Sequence, residues 1–279
     1  MKLGQFTIHY FDGGYTHMDG GAIFGVVPKP LWSRKIESND KNQIPQPTHP
    51  LLIQTQDANI VVDTGIGKGK LTDKQLRNYG VSNESRLVED LAQHHLKPED
   101  IDMVLMTHMH FDHATGLTDS EGHAVFPNAT HYIQRDEWEE FLNPNIRSQA
   151  TYWAMNQGDY QERVKLYQDT VEPYPGIKMI HTGGHSFGHS IITFESEDER
   201  AVHMADIFPT HAHLNPLWVT AYDDYPMDSI SEKQHYIQQF INEETWFLYY
   251  HDPMYFAVKF NSEDGKTIES SIMREHTDQ

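Results

Sequence analysis

The sequence predicts an α/β protein with buried sheets, and three observations support this fold class. Short apolar segments typical of strands alternate with helical patterns in both halves of the chain. Hydrophobic residues make up 38% and charged residues 22% of the 279 residues, which is usual for globular proteins. No run of 18 apolar residues is present, so neither a transmembrane helix nor a membrane partner is expected.

Seven short apolar segments are predicted to be strands. They are residues 51–54, 59–63, 102–107, 130–134, 190–195, 201–205 and 246–250. The polar residues 196–200 are predicted to connect two of these strands as a hairpin.

Four segments between the strands are predicted to be helical. They are residues 83–95, 135–142, 159–168 and 229–241. In the first of them, Leu87, Val88 and Leu91 share one predicted face, and Ser82 or Asn83 is the predicted cap. The proline-rich residues 28–50 are predicted to form a long ordered loop.

Composition excludes several kinds of chemistry. The chain has no cysteine, which excludes disulfides, thiolate metal sites and a cysteine nucleophile. Any metal must therefore be held by His, Asp or Glu. The net charge of −20 repels phosphate backbones, so no nucleic-acid partner is expected. The first ten residues lack the apolar stretch of a signal peptide, and a cytoplasmic location is expected.

Four potential metal ligands lie within six residues, directly after the predicted strand 102–107. They are His108, His110, Asp112 and His113. Alternate residues of a helix point apart, so this spacing favours a loop on which the four side chains can converge. Imidazole and carboxylate ligands suit Zn²⁺ and similar ions, and four ligands so close in sequence indicate two adjacent ions. The alternative, a loop of solvated polar residues, has little weight because functional sites commonly lie on such loops.

Three further candidates also follow apolar segments. His185 lies in the glycine-rich turn 181–190, Asp206 ends the segment AVHMAD, and His251 ends the segment WFLYYH. Each of them alone could equally be a capping or surface residue. Together with the first cluster, they predict a metal centre at one rim of a sheet.

These motifs resemble the metallo-β-lactamase superfamily. The resemblance lies in HMHFDH (108–113), GGHSFGH (183–189), Asp206, His251 and the turn that begins at Asp63. It implies a four-layer αββα sandwich, one domain over residues 1–279 and two divalent metal ions. One metal would be held by His108, His110 and His185, the other by Asp112, His113 and His251, with Asp206 bridging them. Asp63 and His189 would support these ligands by hydrogen bonds.

The chain is also similar to quorum-quenching N-acyl homoserine lactonases of the YtnP type, through residues 16–32, 205–218 and 221–229. This implies that a hydroxide shared by two metal ions opens a lactone ring, with Asp112 and Asp206 as catalytic residues. Zn²⁺ is the expected metal, with Co²⁺, Mn²⁺ or Fe²⁺ as alternatives. Many of these lactonases have a tyrosine three residues after the bridging aspartate, where this chain has Pro209.

Met18, Phe24 and His211 are predicted to contact the lactone substrate, although ordinary packing is an equal alternative for the first two. A phosphotriesterase resembling methyl parathion hydrolase, or a thioesterase on the same fold, is the alternative function. A metal-free binding module is a remote alternative, because all seven ligand positions are filled. The oligomeric state stays open, with a homodimer as one possibility.

Overall fold

In the computed structural model, which describes residues 1–274, the chain forms sixteen strands and seven α-helices. The strands are β1 (Lys2–Leu3), β2 (Phe6–Tyr10), β3 (Tyr15–Asp19), β4 (Gln43–Pro47), β5 (Leu51–Gln54), β6 (Asn59–Val62), β7 (Met103–Leu105), β8 (Thr130–Gln134), β9 (Val164–Tyr167), β10 (Thr170–Tyr174), β11 (Ile177–His181), β12 (Ser190–Ser196), β13 (Glu199–His203), β14 (Trp246–Leu248), β15 (Tyr255–Phe260) and β16 (Ile268–Met273). The helices are α1 (Gly20–Phe24), α2 (Lys29–Trp32), α3 (Asp73–Asn78), α4 (Leu87–Gln93), α5 (Phe111–Ala114), α6 (Arg135–Leu142) and α7 (Pro226–Asn242). None of these helices is both long and apolar enough to cross a bilayer.

Two seven-stranded sheets are formed, one by each half of the chain. The first has the strand order β1-β2-β5-β6-β7-β8-β9, and the second contains β10 to β16 in sequence order. Strands β6 to β9 are parallel to one another, as are β13 and β14. Strands β3 and β4 form a separate two-stranded hairpin.

The alternation of side chains along the strands explains how the layers pack. In β5, Leu51 and Ile53 belong to a buried cluster that also contains Ile192 of the second sheet. Leu52, between them, points the other way and belongs to a cluster with Leu91 of α4. The outer face of the second sheet is covered by α7 in the same manner, through Ile237, Phe240 and Ile241. This order of helix, sheet, sheet and helix confirms the predicted αββα sandwich.

Two predicted helices are corrected by the structure. Residues 159–168 form a short 3-10 turn, Asp159–Arg163, and then strand β9, which pairs with β8. The helix predicted over 83–95 begins only at Leu87, because Asn83 and Arg86 are held by hydrogen bonds to Asp12. Val88 does not share the buried face of Leu87 and Leu91, since it is 44% exposed.

The predicted loop at 28–50 is also only partly a loop, because it contains α2 and β4. Strand β4 includes Pro45 and Pro47, which cannot donate backbone hydrogen bonds. Their presence is tolerated because β4 pairs with β3 alone and is therefore an edge strand.

The parallel strand pairs determine where the candidate site lies. Since β6 and β7 run in the same direction, Asp63 and the segment 107–113 leave the first sheet at the same edge. For the same reason, Asp206 after β13 and His251 after β14 leave the second sheet together. The sandwich thus brings loops from both halves of the chain to one edge.

Candidate metal centre

The seven predicted ligands converge at this edge, in groups whose ligand atoms lie within 4.8 Å of one another. One group, which we call position one, consists of His108, His110 and His185. A second group, position two, consists of Asp112, His113 and His251. His108, His113 and Asp206 form a third group, which joins the two positions.

Asp206 lies between the two positions and turns one carboxylate oxygen toward each. Its Oδ1 is 3.3 Å from His113 Nε2 and 3.2 Å from His251 Nε2, while its Oδ2 is 3.3 Å from His185 Nε2. The preceding Ala205 has a φ of 44°, an unfavourable value for a residue other than glycine. This strained position lies directly before Asp206, whose carboxylate lies between the two groups of histidines.

The polar atoms of this cluster fit a pair of divalent cations. His108 Nε2, His113 Nε2, His251 Nε2 and Asp206 Oδ1 are buried and have no hydrogen-bond partner among residues 1–274. A buried polar atom left without a partner costs about 1–3 kcal/mol, so several of them together call for a ligand. His110 Nδ1 and His185 Nε2 also point at each other across 3.0 Å. Lone pairs on these nitrogen and oxygen atoms match the coordination preferences of Zn²⁺ and related ions.

Charge and burial prepare these side chains for cation binding. Burial lowers the pKa of His108 and of His110 well below the ordinary value, so both rings carry the free lone pairs that a metal requires. Burial opposes the ionisation of Asp206, but the neighbouring His251, His113 and His185 outweigh it and hold the pKa of this carboxyl well below its usual range. The centre therefore presents an ionised Asp206 carboxylate beside the neutral rings of His108 and His110.

Three histidines around Asp206 are each oriented by a hydrogen bond at their Nδ1 atom. His113 Nδ1 lies 2.8 Å from Asp63 Oδ2, and His185 Nδ1 lies 2.9 Å from Asp223 Oδ1. His251 Nδ1 donates to the backbone carbonyl of Pro47 over 2.8 Å. Such partners fix the ring orientation and make the other nitrogen a better ligand.

Asp63 also holds the ligand loop itself. Its carboxylate accepts hydrogen bonds from the backbone N–H and the hydroxyl of Thr107, at 2.9 and 2.7 Å. The φ of Asp63 is 53°, so its position in the turn is again strained for a residue other than glycine. The predicted supporting role of Asp63 has this geometric basis.

His189, the other predicted supporting residue, contacts Asp206 through the backbone. His189 Nε2 accepts a hydrogen bond from the Asp206 N–H over 3.3 Å, and His189 Nδ1 lies 2.9 Å from Thr182 Oγ1. Burial lowers the pKa of His189 well below the ordinary value, so the ring is neutral and can accept this bond.

Glu137 joins the ligand loops of the two halves, although the sequence analysis did not single it out. Its Oε1 accepts from the Met109 N–H at 2.6 Å, and its Oε2 accepts from the Ser186 hydroxyl at 2.5 Å. Burial raises the pKa of Glu137. Gly188 allows this approach, since a Cβ there would lie 2.1 Å from the Glu137 nitrogen. An acidic residue in the first turn of a helix is so common that no sequence signal identified it.

A cavity of about 310 Å³ opens beside the centre. Its lining includes His110, Asp112, His185 and Asp206, which therefore face the space that a substrate would enter. Met18, one of the predicted substrate contacts, also lines this cavity.

The other two predicted substrate contacts lie outside the lining of the cavity. Phe24 is fully buried and stacks between Trp32 and His213, in a small cluster of its own. His211 Nδ1 lies 2.6 Å from Asp252 Oδ2. Phe24 is thus enclosed by its neighbours, whereas 11% of the His211 side chain is exposed.

The cavity also contains residues that sequence reasoning missed. Tyr79, Arg147 and Tyr222 line it, and Asp223 directly follows the last of these. They come from segments without a ligand motif, and only the tertiary structure places them near the centre. For Asp223, the one available signal was its place in the segment AYDDYPMDS, which resembled the lactonases.

Comparison with known proteins agrees with this geometry. The family model described as the metallo-beta-lactamase superfamily matches residues 44–241, which is more than half of the chain. A crystal structure of a probable metal-dependent hydrolase from Staphylococcus aureus is 62% identical in sequence, with a TM-score of 0.97 and 99% of each chain covered.

Two relatives carry a more specific description. An N-acyl homoserine lactonase from a Bacillus species is 29% identical over 161 residues, which are 52% of this chain and 57% of the lactonase. The match thus spans little more than half of that lactonase. AidC, described as a dizinc quorum-quenching lactonase in complex with a product, has a TM-score of 0.80 and 18% identity, with 100% of this chain and 97% of AidC covered. At this identity the second likeness concerns the fold alone.

Proposed function

We propose that this chain, which belongs to the metallo-β-lactamase superfamily, is a metal-dependent hydrolase that opens the lactone ring of N-acyl homoserine lactones. The observation that carries the proposal is Asp206, whose two oxygens face two complete triads of ligands beside a cavity. The partial match to an N-acyl homoserine lactonase favours lactones among the possible substrates.

The residues of the metal centre and those of the cavity have different chemical roles. Position one and position two would each hold one cation, with Zn²⁺ as the expected ion. When bound, such a pair of ions supplies an activated water molecule at neutral pH and polarises the ester carbonyl. No protein nucleophile is needed, which agrees with a chain that has no cysteine.

Asp112 is positioned to transfer a proton to the leaving group. It lines the cavity, and its Oδ2 is 3.6 Å from His251 Nε2. Opening the lactone breaks the bond between the acyl carbon and the ring oxygen, and the departing alkoxide requires a proton. A carboxylate at the boundary between centre and cavity could take up the proton that is released when water is activated, and pass it to this alkoxide.

Tyr222 supplies a phenol on the cavity wall, and we assign to it the role of the tyrosine that many lactonases have where this chain has Pro209. Burial, with a further contribution from Asp112, raises the pKa of Tyr222 to about 12. The hydroxyl is therefore protonated at neutral pH and can donate a hydrogen bond to a substrate oxygen. Tyr79 on the same cavity is packed against Phe111 and Trp153, which makes it the more constrained of the two phenols.

Phosphotriester hydrolysis is the second candidate function. The same two positions could activate water for attack on phosphorus, and Pro209 leaves this chain without a tyrosine at the place where many lactonases have one. A neutral phosphotriester would also avoid repulsion by the acidic chain.

The test is acid release from N-acyl homoserine lactones of several chain lengths, followed with a pH indicator. We expect release by the purified protein, loss after chelation, and recovery with Zn²⁺, Co²⁺ or Mn²⁺. The control is protein with Asp206→Asn, treated in the same way. If fully metal-loaded protein releases no acid from any lactone but hydrolyses paraoxon, the lactonase proposal is wrong and the phosphotriesterase is correct.

A further inference from the structure

Two loops from distant parts of the sequence form one wall of the cavity. Arg147 and Ser148 belong to the first loop, and Ala221, Tyr222 and Asp224 belong to the second. The two loops are joined at the carboxylate of Asp224, of which only 5% is exposed. This carboxylate accepts hydrogen bonds from Arg147 Nε at 2.8 Å, from Asn145 Nδ2 at 3.1 Å and from the Ser148 hydroxyl.

The guanidinium of Arg147 is held in one orientation by these loops. Its Nη2 donates to the backbone carbonyls of Ala221 and Asp223, at 2.6 and 3.0 Å. Its Nη1 has no hydrogen-bond partner among residues 1–274, and the side chain is 55% exposed. A guanidinium fixed on one side therefore keeps two N–H groups for a ligand. Because the Arg147 side chain is already ordered, the binding of a ligand to these N–H groups costs little conformational entropy.

Arg147 is connected to the metal centre through a single residue. The backbone carbonyl of Asp223 accepts from Arg147, and the carboxylate of Asp223 bonds to His185 Nδ1 at 2.9 Å. A substrate whose reacting carbonyl lies at the centre would thus extend along the same wall toward Arg147. The group that meets Arg147 would then be a second polar group of the substrate and not the reacting carbonyl.

The charges around Arg147 favour an uncharged partner. Within residues 1–274, it is the one Lys or Arg that lines the cavity, whereas Asp112, Asp206 and Asp224 line it as well. Asp224 already pairs with the guanidinium. An anionic substituent would meet these carboxylates, while the oxygen of a neutral amide can accept from Nη1 without repulsion.

We infer that Arg147 is a specificity residue, which selects substrates that carry a neutral carbonyl oxygen outside the reacting ring. This inference rests on the proposed lactonase function, and it identifies the amide of an N-acyl lactone as the recognised group. Plain alkyl lactones would enter the same cavity but would leave Nη1 without a partner.

The experiment compares two lactones with the same five-membered ring, N-hexanoyl homoserine lactone and γ-decalactone, in metal-loaded protein. Arg147→Met keeps the apolar part of the side chain and removes every N–H. We expect it to raise KM for the amide-bearing lactone about tenfold, as for the loss of one charge-assisted hydrogen bond, and to change KM for γ-decalactone less than about twofold. Ser148→Ala loosens the same loop but leaves the guanidinium, so the ratio of the two KM values should not change.

Binding without turnover separates this inference from the proposed function. Calorimetry on metal-loaded protein would use the matching lactams, N-hexanoyl homoserine lactam and 5-hexylpyrrolidin-2-one, because their rings resist opening. Arg147→Met should weaken the first lactam about tenfold and leave the second unchanged. If no lactone is hydrolysed but this difference in binding is found, the inference holds and the lactonase proposal fails. Equal losses for both lactams, or no binding of either to the wild-type protein, would overturn the inference.

Discussion

Position one and position two share Asp206, yet they are held in different ways. Both take two candidate ligands from the segment 108–113 and one histidine from the second half of the chain. This segment is only partly the predicted loop, because Asp112 and His113 lie in the short helix α5. In position two, that histidine, His251, bonds to a backbone carbonyl, and His113 bonds to the deeply buried Asp63. In position one, His185 bonds to Asp223, on the loop whose backbone carbonyls bind Arg147. The histidines of position two are thus held by the buried Asp63 and by the β3–β4 hairpin, whereas His185 of position one is coupled to the cavity wall.

This comparison has a functional consequence. A substrate that contacts the cavity wall can alter the orientation of His185 through Asp223, while His113 and His251 are isolated from such contacts. We therefore expect His113 and His251 of position two to keep their orientation when a ligand binds, and His185 of position one to respond to it.

The largest effect is expected for Asp206→Asn, because this residue serves both positions. Loss of the shared negative charge should reduce metal content and lower lactone hydrolysis on the order of a thousandfold. Metal analysis by mass spectrometry, together with kcat/KM, measures both effects. A variant that retains two metals and wild-type activity would refute the bridging role.

The two positions can be separated by removing one histidine from each. His185→Ala should deplete position one and His251→Ala should deplete position two, so that each variant binds about one metal per chain. Reconstitution with Co²⁺ distinguishes them, since the remaining sites have different ligands and different absorption spectra. If both variants lose both metals, the positions are not independent and the comparison fails.

The carboxylates of Asp63 and Asp223, which bond to candidate metal ligands, allow the two positions to be weakened separately. Asp63→Asn should weaken metal binding at position two about 10–100-fold, and Asp223→Asn should do so at position one, as for other residues that orient metal ligands. Competition with a chelator measures both affinities. Asp252→Asn serves as a control because Asp252 bonds to His211 and not to a metal ligand. A similar loss in this control would point to general destabilisation.

A smaller effect is expected from the phenol on the cavity wall. Tyr222→Phe removes one hydrogen-bond donor and should lower kcat for lactones about tenfold without changing metal content. Tyr225→Phe is a suitable control, since Tyr225 lies outside the lining of the cavity. If the two variants have the same kcat, Tyr222 does not take part in the mechanism.

The smallest expected effect concerns stability in acid. Burial opposes ionisation of Asp63, but His113 outweighs it and lowers the pKa of Asp63 to about 2. Because this folded-state pKa lies below the ordinary 3.8, the unfolded chain binds more protons between these values. The contribution of Asp63 is therefore complete above about pH 4 and is lost as the pH falls toward 2, by about 2 kcal/mol in total. Urea unfolding of metal-free protein at several pH values should show that the free energy of unfolding falls less steeply with decreasing pH in Asp63→Asn than in the wild type. Parallel curves for the two proteins would contradict this expectation.

Much of the architecture could be predicted from the sequence. The bounds of β5, β8 and α6 agree with the predicted 51–54, 130–134 and 135–142, because their apolar patterns are strong and their neighbours in sequence end them. Strand β16 was not predicted and β9 was predicted as part of a helix, since both lie at an edge of their sheet and are largely exposed. Their strand structure depends on pairing with a neighbour and not on their own composition.

The sequence by itself determined which residues are candidate metal ligands. The spacing of HMHFDH, the glycines before His185, and the acidic or imidazole residue after each apolar segment are local features that a motif records. Only the tertiary structure decided how those ligands are supported and what surrounds the cavity. Glu137, Asp223 and Arg147 act through contacts with residues 28 to 77 positions away in the chain. Such contacts exist only after two sheets have packed face to face, and no local pattern encodes which loops will then become neighbours.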